Sequence, residues 1–381
     1  MTALSRLATL GLAKEAVAGT WLAPTMGIPF LKGEYEDLYT QLKDESIRGN
    51  DTVLQGMYQG VAHSEWQIDV QAYPDLIGHF LVGMIGPDTV TAGISTTLSA
   101  STIVGATSIT TVASIPVGST IQIDTGANAE YAITGTPSGA GPYTIPITTP
   151  ATGLTKPHSS AVAVVSQSTH TFKQSTAPLP TYSLTYYDTT QTISTSWARL
   201  SDLQLKIDPK GAVTASLKYV AFPTVVQTLQ VETYSTFDPL LGWSWNMTNA
   251  GAASTRGLTY DVTVKRTTEA LHTSDGVQTP REIFAGAIEV DGTYKALFEN
   301  QTDLNLYTQY TQSPATASLA QPLARGGQSL SLTMSKSGWF KGKRDLSGVY
   351  AQADFSLSGI YNTTDGGAVQ AVLKTFSATA Y

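Results

Sequence analysis

The histidines are the side chains in this sequence best suited to hold a metal ion or to transfer protons. They are His63, His79, His158, His170 and His272. No two have the spacing of a metal-binding pair, and there is no HExxH motif. There is also no GxSxG turn, phosphate-binding loop or dinucleotide fingerprint. We therefore expect structural histidines, His79 hydrogen-bonded in a helix among them, and no enzyme activity, cofactor or metal.

Four carboxylates lie close together in the first part of the chain: Asp37, Asp44, Glu45 and Asp51. Such a group is compatible with paired acid–base catalysts or with a calcium-binding loop. The alternating acidic pattern and the glycine that a calcium loop requires are missing. Solvated loop charges are the better interpretation.

The segment Lys336–Arg344 (KSGWFKGKR) combines basic and aromatic side chains. Its basic residues are Lys336, Lys341, Lys343 and Arg344. Contact with a nucleic acid or a lipid head group is one interpretation. We favour a loop between subunits that pairs with an acidic patch on a neighbouring copy of the chain.

The stretch Ser64–Gly86 changes its hydrophobic period halfway, and the rest of the chain can be interpreted around it. The first half alternates as a strand does, with one apolar face and one polar face. The apolar face is Trp66, Ile68, Val70 and Ala72, and the polar face is Glu65, Gln67, Asp69 and Gln71. From Pro74 to Met84 the apolar residues have helical spacing, and Gly86 and Pro87 end the run.

A second copy of this unit is indicated further along the chain. Ile288-Glu289-Val290 follows Ile68-Asp69-Val70 at an offset of 220 residues, and its polar face includes Glu289 and Asp291. The run Tyr294–Phe298 is the predicted second helix. Gly211–Lys218 resembles Gly367–Lys374 at an offset of 156 residues, so the first copy would hold extra residues. These matches predict a duplicated unit.

The composition predicts a mainly β protein and excludes several function classes. Only 13% of the 381 residues are charged, and turn residues punctuate short alternating runs. The net charge of −7 argues against a surface that grips nucleic acid. Without cysteine there are no disulfides or thiolate chemistry. No segment predicts a signal peptide or a membrane span, so we expect a protein made in the cytoplasm with no membrane partner.

Composition shifts divide the chain into segments. Residues 1–27 form an N-terminal arm, either a loose terminus or a segment that docks on a neighbour. Residues 28–88 and 169–222 form a first β domain, interrupted by a small inserted β domain at 89–168 that is almost uncharged. Residues 223–257 connect it to a second β domain at 258–381. Each large domain has a hairpin with a long loop, and loops of that length are often functional.

An ordered set of motifs resembles the tail tube (major tail) proteins of long, flexible-tailed bacteriophages, or siphophages. The opening Gly11…Lys14-Glu15…Gly19-Thr20…Ala23-Pro24-Thr25, followed by the loop and the strand–helix unit, is similar to the start of that family. The run from Asp275 to Gly292 is similar to its second half. The segment 89–168 resembles a small β module that decorates phage tail proteins.

The resemblance implies both a fold and a function. The fold would be two tandem tail-tube-type β-sandwich domains, each with one flanking helix, plus the inserted domain outside the tube. The protein would be a structural virion protein that assembles in the host cytoplasm. Its rings would be trimeric and pseudo-sixfold, or alternatively hexameric, and would stack into a tail tube.

The same resemblance implies partners. Genomic DNA and the tape measure protein would pass through the lumen, and tail terminator and distal tail proteins would close the ends. The lumen would be hydrophilic and acidic, because a wall that repels phosphate does not hold DNA back. Glu65, Gln67, Asp69, Gln71, Glu289 and Asp291 would face it. Two other classes remain open: a carbohydrate-binding or adhesin module, and a capsid decoration protein.

Overall fold

The fold was analysed in a computed structural model that describes residues 4–299, 301–309 and 312–381. Strands account for 52% of the residues, which confirms the prediction of a mainly β fold. Helices account for 7%, a share that includes the 3-10 turns Ser5–Leu7, Gly126–Asn128, Gly242–Ser244 and Leu323–Arg325. The chain begins with β1 (Thr9–Lys14), β2 (Met26–Gly27), β3 (Phe30–Asp44), β4 (Gly56–Gln71), helix α1 (Ile77–Met84) and β5 (Asp88–Thr91).

The remaining elements follow in chain order. The next short strands are β6 (Ser95–Thr97), β7 (Ser108–Thr111), β8 (Thr120–Ile123), β9 (Glu130–Thr134), β10 (Tyr143–Thr149) and β11 (Ala163–Ser166). Then come β12 (Ser168–Phe172), β13 (Tyr182–Tyr187), β14 (Thr192–Ile207), β15 (Thr214–Ala221), β16 (Val225–Gln227), β17 (Trp245–Asn249) and β18 (Ala252–Ser254). The last are β19 (Gly257–Leu271), β20 (Glu282–Leu297), helix α2 (Thr302–Thr308), β21 (Gln312–Ala320), β22 (Ser329–Asp345), β23 (Gln352–Gly359) and β24 (Gln370–Thr375).

Eight strands form one continuous antiparallel sheet, which we call the long sheet. Their order is β3-β4-β15-β14-β19-β20-β23-β22. Strands β14 and β22 are longer than their neighbours and continue into a second layer. There the first half of β14 pairs with β13 and β16, and the first half of β22 pairs with β21 and β24. Both layers enclose one continuous apolar core.

The predicted change of period between β4 and α1 is confirmed. Trp66, Ile68 and Val70 are buried, while the polar residues between them are exposed or half-buried. Helix α1 then buries Ile77, Phe80, Leu81 and Met84 against the same core. At Gly86 the backbone has φ +151°, and a Cβ there would lie 2.5 Å from the Lys173 carbonyl oxygen, so glycine is required where the helix ends.

Two sequence-based secondary-structure predictions were wrong. The run Tyr294–Phe298 is not a helix: β20 continues to Leu297 because residues 291–297 pair with β19 on one side and β23 on the other. The second helix, α2, begins at Thr302. The segment Lys336–Arg344 is not a loop but part of β22, where it pairs with β23.

The long sheet consists of two groups of four strands with the same connectivity. In each, a hairpin (β3–β4, β19–β20) is followed after a helix by a second hairpin (β14–β15, β22–β23). Strands β4 and β20 both have 16 residues and carry their bulges at the same places. Gly60 and Gly286 occupy one of these bulges, and a Cβ on either would lie close to the carbonyl of Thr40 or Thr267. The bulge near the start of the long-sheet part of β14 also recurs in β22.

The matched bulges correct the residue correspondence that the sequence suggested. Position 65 corresponds to 291, and 69 to 295, so the counterpart of Asp69 is Lys295 and not Glu289. The resemblance of Gly211–Lys218 to Gly367–Lys374 is also misleading. Gly211–Lys218 leads into β15, and the counterpart of β15 in the long sheet is β23. Gly367–Lys374 instead leads into β24, which pairs with β22 and β12.

A separate six-stranded sheet has the order β6-β11-β8-β9-β10-β7 and its own apolar core. Inside it, the Glu130 carboxylate accepts hydrogen bonds from the Thr155 N–H and hydroxyl at 2.6 and 2.8 Å, and His158 Nε2 lies 3.2 Å away. Residues 9–14 are not part of a loose arm, because β1 pairs with β13 of the same chain and buries Leu10 and Leu12.

Candidate functional site

The polar side chains predicted on β4 lie on one face of the long sheet. Glu65 and Gln67 are exposed, and Asp69 and Gln71 are half-buried. The opposite face of the strand packs into the core, so the alternation fixes which way each side chain points. Glu289 and Asp291 lie on the same face of β20, the first exposed and the second half-buried. We call this surface the polar face.

The polar face extends across the strands between β4 and β20. Directly paired residues share a face in an antiparallel sheet. Gln67 pairs with Lys218, Lys218 with Asp202, and Asp202 with Lys265, which in turn pairs with Glu289. This row shows that both groups of four strands contribute to a single surface.

Carboxylates and lysines are interspersed on the polar face. Its carboxylates are Glu34, Glu36, Glu65, Asp69, Asp202, Asp261, Glu289, Asp291, Asp345 and Asp354, and its lysines are Lys32, Lys206, Lys218, Lys265, Lys295, Lys341 and Lys343. The carboxylates are more numerous. Most lysines stand opposite a carboxylate: Lys32 pairs with Asp69, Lys206 with Asp261, and Lys295 Nζ lies 3.8 Å from Asp354.

Local contacts hold two of the predicted residues in place. The Ser216 hydroxyl donates to Asp69, and the Ser358 hydroxyl donates to Asp291. Each serine is the direct cross-strand partner of its aspartate. The polar face has one hollow in each group of strands. One hollow is lined in part by Glu34, Glu65, Gln67, Asp202 and Lys218, and the other by Thr293, Lys295, Lys341 and Asp354.

The structure separates the four basic residues of the segment 336–344. Lys341 and Lys343 are exposed on the polar face, opposite Ser356 and Asp354 of β23. Arg344 lies on the other face, with its guanidinium 4.6 Å from the centre of the Phe298 ring. Lys336 is half-buried where β22 passes from one layer to the other.

The two outermost strands of the long sheet each have one free edge. Within the described residues, β3 pairs only with β4, and the segment Lys341–Asp345 of β22 pairs only with β23. Their counterparts inside the chain, β19 and β14, are paired on both sides. Unpaired edges expose backbone hydrogen-bonding groups and favour pairing with another strand.

The end of α1 is held by a residue of the second group of strands. Arg266, on β19, donates from Nε to the Met84 carbonyl at 2.6 Å and from Nη2 to the Ile85 carbonyl at 3.3 Å. Its Nη1 donates to the Gly286 carbonyl at 2.8 Å. Burial lowers the pKa of this guanidinium. These bonds satisfy carbonyls at the helix C-terminus, where a positive charge is favourable.

The histidines do not form a single cluster: the rings of His63 and His272 lie 6.4 Å apart, and His79 and His170 pack against the same ring, Tyr381. The hydrogen bond expected for His79 is not present at Nδ1, which is buried without a partner among the described residues. His79 packs against Tyr381, and burial lowers the pKa of His79 to about 4. His170 Nδ1 lies 2.7 Å from Asp88, and His158 lies between Asp124 and Glu130. No group of three or more residues with metal-binding side chains was found in the described part of the chain. None of the helices in those residues is long and apolar enough to cross a bilayer.

A family model described as phage tail tube protein matches residues 5–380. The chain belongs to this phage tail tube family. Comparison with curated proteins gives no significant match. The match spans both groups of four strands and the separate small sheet, so the whole described chain is accounted for by one family.

Family membership gives the protein a structural role. It is a component of the virion tail that builds the tube with other copies of itself and other tail components, and it is not an enzyme. The polar residues of β4 and β20 were predicted from the sequence, and Lys341 and Lys343 were predicted at a contact between subunits. It was not predicted that these two lysines share the polar face with Lys32, Lys206, Lys218, Lys265 and Lys295. The alternation of Leu203, Leu205 and Ile207 with Gln204 and Lys206 contained that signal.

Proposed function

We propose that three copies of this tail tube protein close into a pseudo-sixfold ring, with the polar face lining the lumen, and that the rings stack into a conduit for DNA. The observation that carries this proposal is the long sheet itself. It has one continuous charged face with a hollow in each group of strands and an apolar back, and it ends in two free edges. A sheet of this form buries its edges when its ends meet those of neighbours.

The number of strands supports three copies. Neighbouring strands are about 4.8 Å apart, so three chains with eight strands each give a cylinder of roughly 37 Å between opposite backbones, and strand tilt widens it. Side chains of about 6 Å on both walls leave roughly 25 Å. Two chains would leave only about 12 Å, the width of a single major groove. Six chains would leave far more room than one duplex needs.

The charge pattern suits a wall along which DNA moves. DNA is held where lysines and arginines displace counterions from consecutive phosphates. On the polar face most lysines stand opposite a carboxylate, and carboxylates are in excess, so no continuous cationic track is present. We infer that the wall is hydrophilic and weakly acidic, with Glu65, Gln67, Asp69, Gln71, Glu289 and Asp291 facing the lumen.

The proposal also assigns roles to the rest of the chain. Residues 28–88 with 169–222 and residues 258–381 would be the two tube domains, joined by 223–257. Residues 89–168 would form an inserted domain on the outside, and residues 1–27 an N-terminal segment held against the first tube domain by the pairing of β1 with β13. Genomic DNA and the tape measure protein would pass through the lumen, with tail terminator and distal tail proteins at the ends.

Electron microscopy of the purified protein tests this function. Rings or stacked tubes with threefold symmetry and an open centre are the expected result. Persistent monomers that bind glycans would overturn the proposal in favour of an adhesin. Sixfold rings of single chains would retain the tube but remove the trimer.

A further inference from the structure

The junction between the two groups of four strands provides a template for a contact between chains. At this junction β14 pairs with β19: Asp202 with Lys265, Gln204 with Thr263 and Lys206 with Asp261. The counterparts of these strands are β22 and β3, which are the two free edges of the long sheet. If copies join as the two groups do, β22 of one copy pairs with β3 of the next.

The matched bulges transfer the register residue by residue. Leu200 and Trp339 precede the same bulge, so Asp202 corresponds to Lys341 and Gln204 to Lys343. On the other side, the bulge after Phe30 matches the one after Gly257, so Thr263 corresponds to Glu36 and Lys265 to Leu38. The transferred register places Lys343 opposite Glu36.

The chemistry of the two edges fits this pairing. The β3 edge carries Glu34 and Glu36 on the polar face, and the β22 edge carries Lys341 and Lys343 there. Cross-strand pairs of opposite charge stabilise a sheet, and like pairs destabilise it. One like-charged pair results, Asp345 opposite Glu34. It is moderated by Lys32, which lies 2.9 Å from Glu34 and is diagonal to Asp345.

We propose that the segment Lys341–Asp345 of one copy adds as a strand to Glu34–Leu38 of a second copy, with Lys343 directly opposite Glu36. This inference rests on the proposed ring and deepens it by specifying the edges and the register. It also assigns the predicted inter-subunit role to Lys341 and Lys343, whereas Arg344 lies on the opposite face of the strand.

Disulfide cross-linking tests the register, because the wild-type chain has no cysteine. Directly opposite residues in an antiparallel pair have Cα atoms about 4.5 to 5.5 Å apart, within the range of a disulfide. Lys343→Cys with Glu36→Cys should therefore link chains in assembled tubes, giving a ladder on a non-reducing gel that stops at the ring size.

Two matched pairs control this experiment. Gln204→Cys with Thr263→Cys occupies the equivalent position inside the chain and should give an intramolecular disulfide. Lys343→Cys with Lys32→Cys is out of register by four residues, about 13 Å along the strand, and should not link chains. The proposed register would be overturned if tubes form but the Lys343→Cys, Glu36→Cys pair fails to link, or if the out-of-register pair links. Either result would leave the tube function in place.

Charge reversal provides an independent test of the register if the cysteine variants assemble poorly. Lys343→Glu alone and Glu36→Lys alone should each raise the critical concentration for assembly about tenfold, and the combination should restore it. Restoration supports the pairing. Equal defects in the single and combined variants, with wild-type tubes intact, would refute it. A wild-type protein that never forms rings would instead remove the proposed function.

Discussion

If the polar face lines the lumen as proposed, reversing two of its charges should make the tube bind and retain DNA. The perturbation is Asp69→Lys with Glu289→Lys. It deprives Lys32 and Lys265 of their directly opposite carboxylates on β4 and β20. Both positions are on the polar face, away from the core, so assembly should survive the change.

The size of the effect follows from the proposed ring of three chains. Each chain changes by about four charges and gains two lysines, so a ring of three chains gains about six cationic side chains at the level of the DNA phosphates. If each neutralises one phosphate, the logarithm of the affinity changes with the logarithm of the salt concentration with a slope of about −5. Raising the salt from about 50 to 200 mM should then weaken binding roughly a thousandfold.

The assay is retention of fluorescent duplex DNA by purified tubes over a range of salt concentrations. Wild-type tubes should retain little DNA at any salt, and the variant should retain it strongly at low salt only. The control adds the same number of lysines to exposed turns between β10 and β11 of the separate small sheet, Thr152→Lys with Ser160→Lys. Equal retention by the variant and the wild type, or by the variant and the control, would refute the lumen assignment.

Further predictions concern the stability of the subunit. Arg266→Ala should lower the free energy of unfolding by about 2–4 kcal/mol, measured by denaturant unfolding, because it leaves buried carbonyls of α1 unpaired. The control is Tyr39→Ala, at the position of exposed β3 that corresponds to Arg266; it should lower the free energy of unfolding by less than about 1 kcal/mol. The pKa of His79 falls from 6.5 to about 4 on folding, so folding favours its neutral form. The free energy of unfolding should therefore decline by up to about 3 kcal/mol as the pH drops from 6.5 to 4. His79→Gln should reduce this dependence of the unfolding free energy on pH. Burial alone would raise the pKa of Glu130, but its hydrogen bonds from Thr155, His158 and Lys156 together outweigh this and lower it. Protection factors for hydrogen exchange in residues 95–166, which are corrected for the intrinsic exchange rate, should therefore fall as the pH drops below about 4.5, and Glu130→Gln should remove that dependence.

Sequence periodicity predicted the β4–α1 unit because both halves of it have one buried face. A residue such as Trp66 or Phe80 must be inside, so its period is visible without any partner. The pattern of Tyr294–Phe298 is misleading for the opposite reason. Five residues are too few to distinguish periods of 2 and 3.6, and only pairing with β19 and β23 keeps them extended.

The polar face was predicted only in part, because its charges are distributed over strands far apart in sequence. Lys218, Asp202 and Lys265 become neighbours through the order of the strands, which local patterns do not encode. The sequence therefore indicated an acidic surface where the structure places lysines opposite carboxylates. The predicted correspondence between the two halves was also wrong. Ile68-Asp69-Val70 and Ile288-Glu289-Val290 are similar in sequence, but their offset differs by six residues from the offset between the matched bulges.

The divergence between the two groups of strands has a consequence for assembly. Equivalent positions carry different charges: Asp202 corresponds to Lys341, and Thr263 to Glu36. If β3 paired with β3 of another copy, carboxylates would face carboxylates, and a pair of β22 edges would bring lysines together. Both arrangements are isologous and would cap the sheet as a twofold dimer. Because like charges oppose them, the edges favour β22 against β3, a head-to-tail contact that can be repeated until the ring closes.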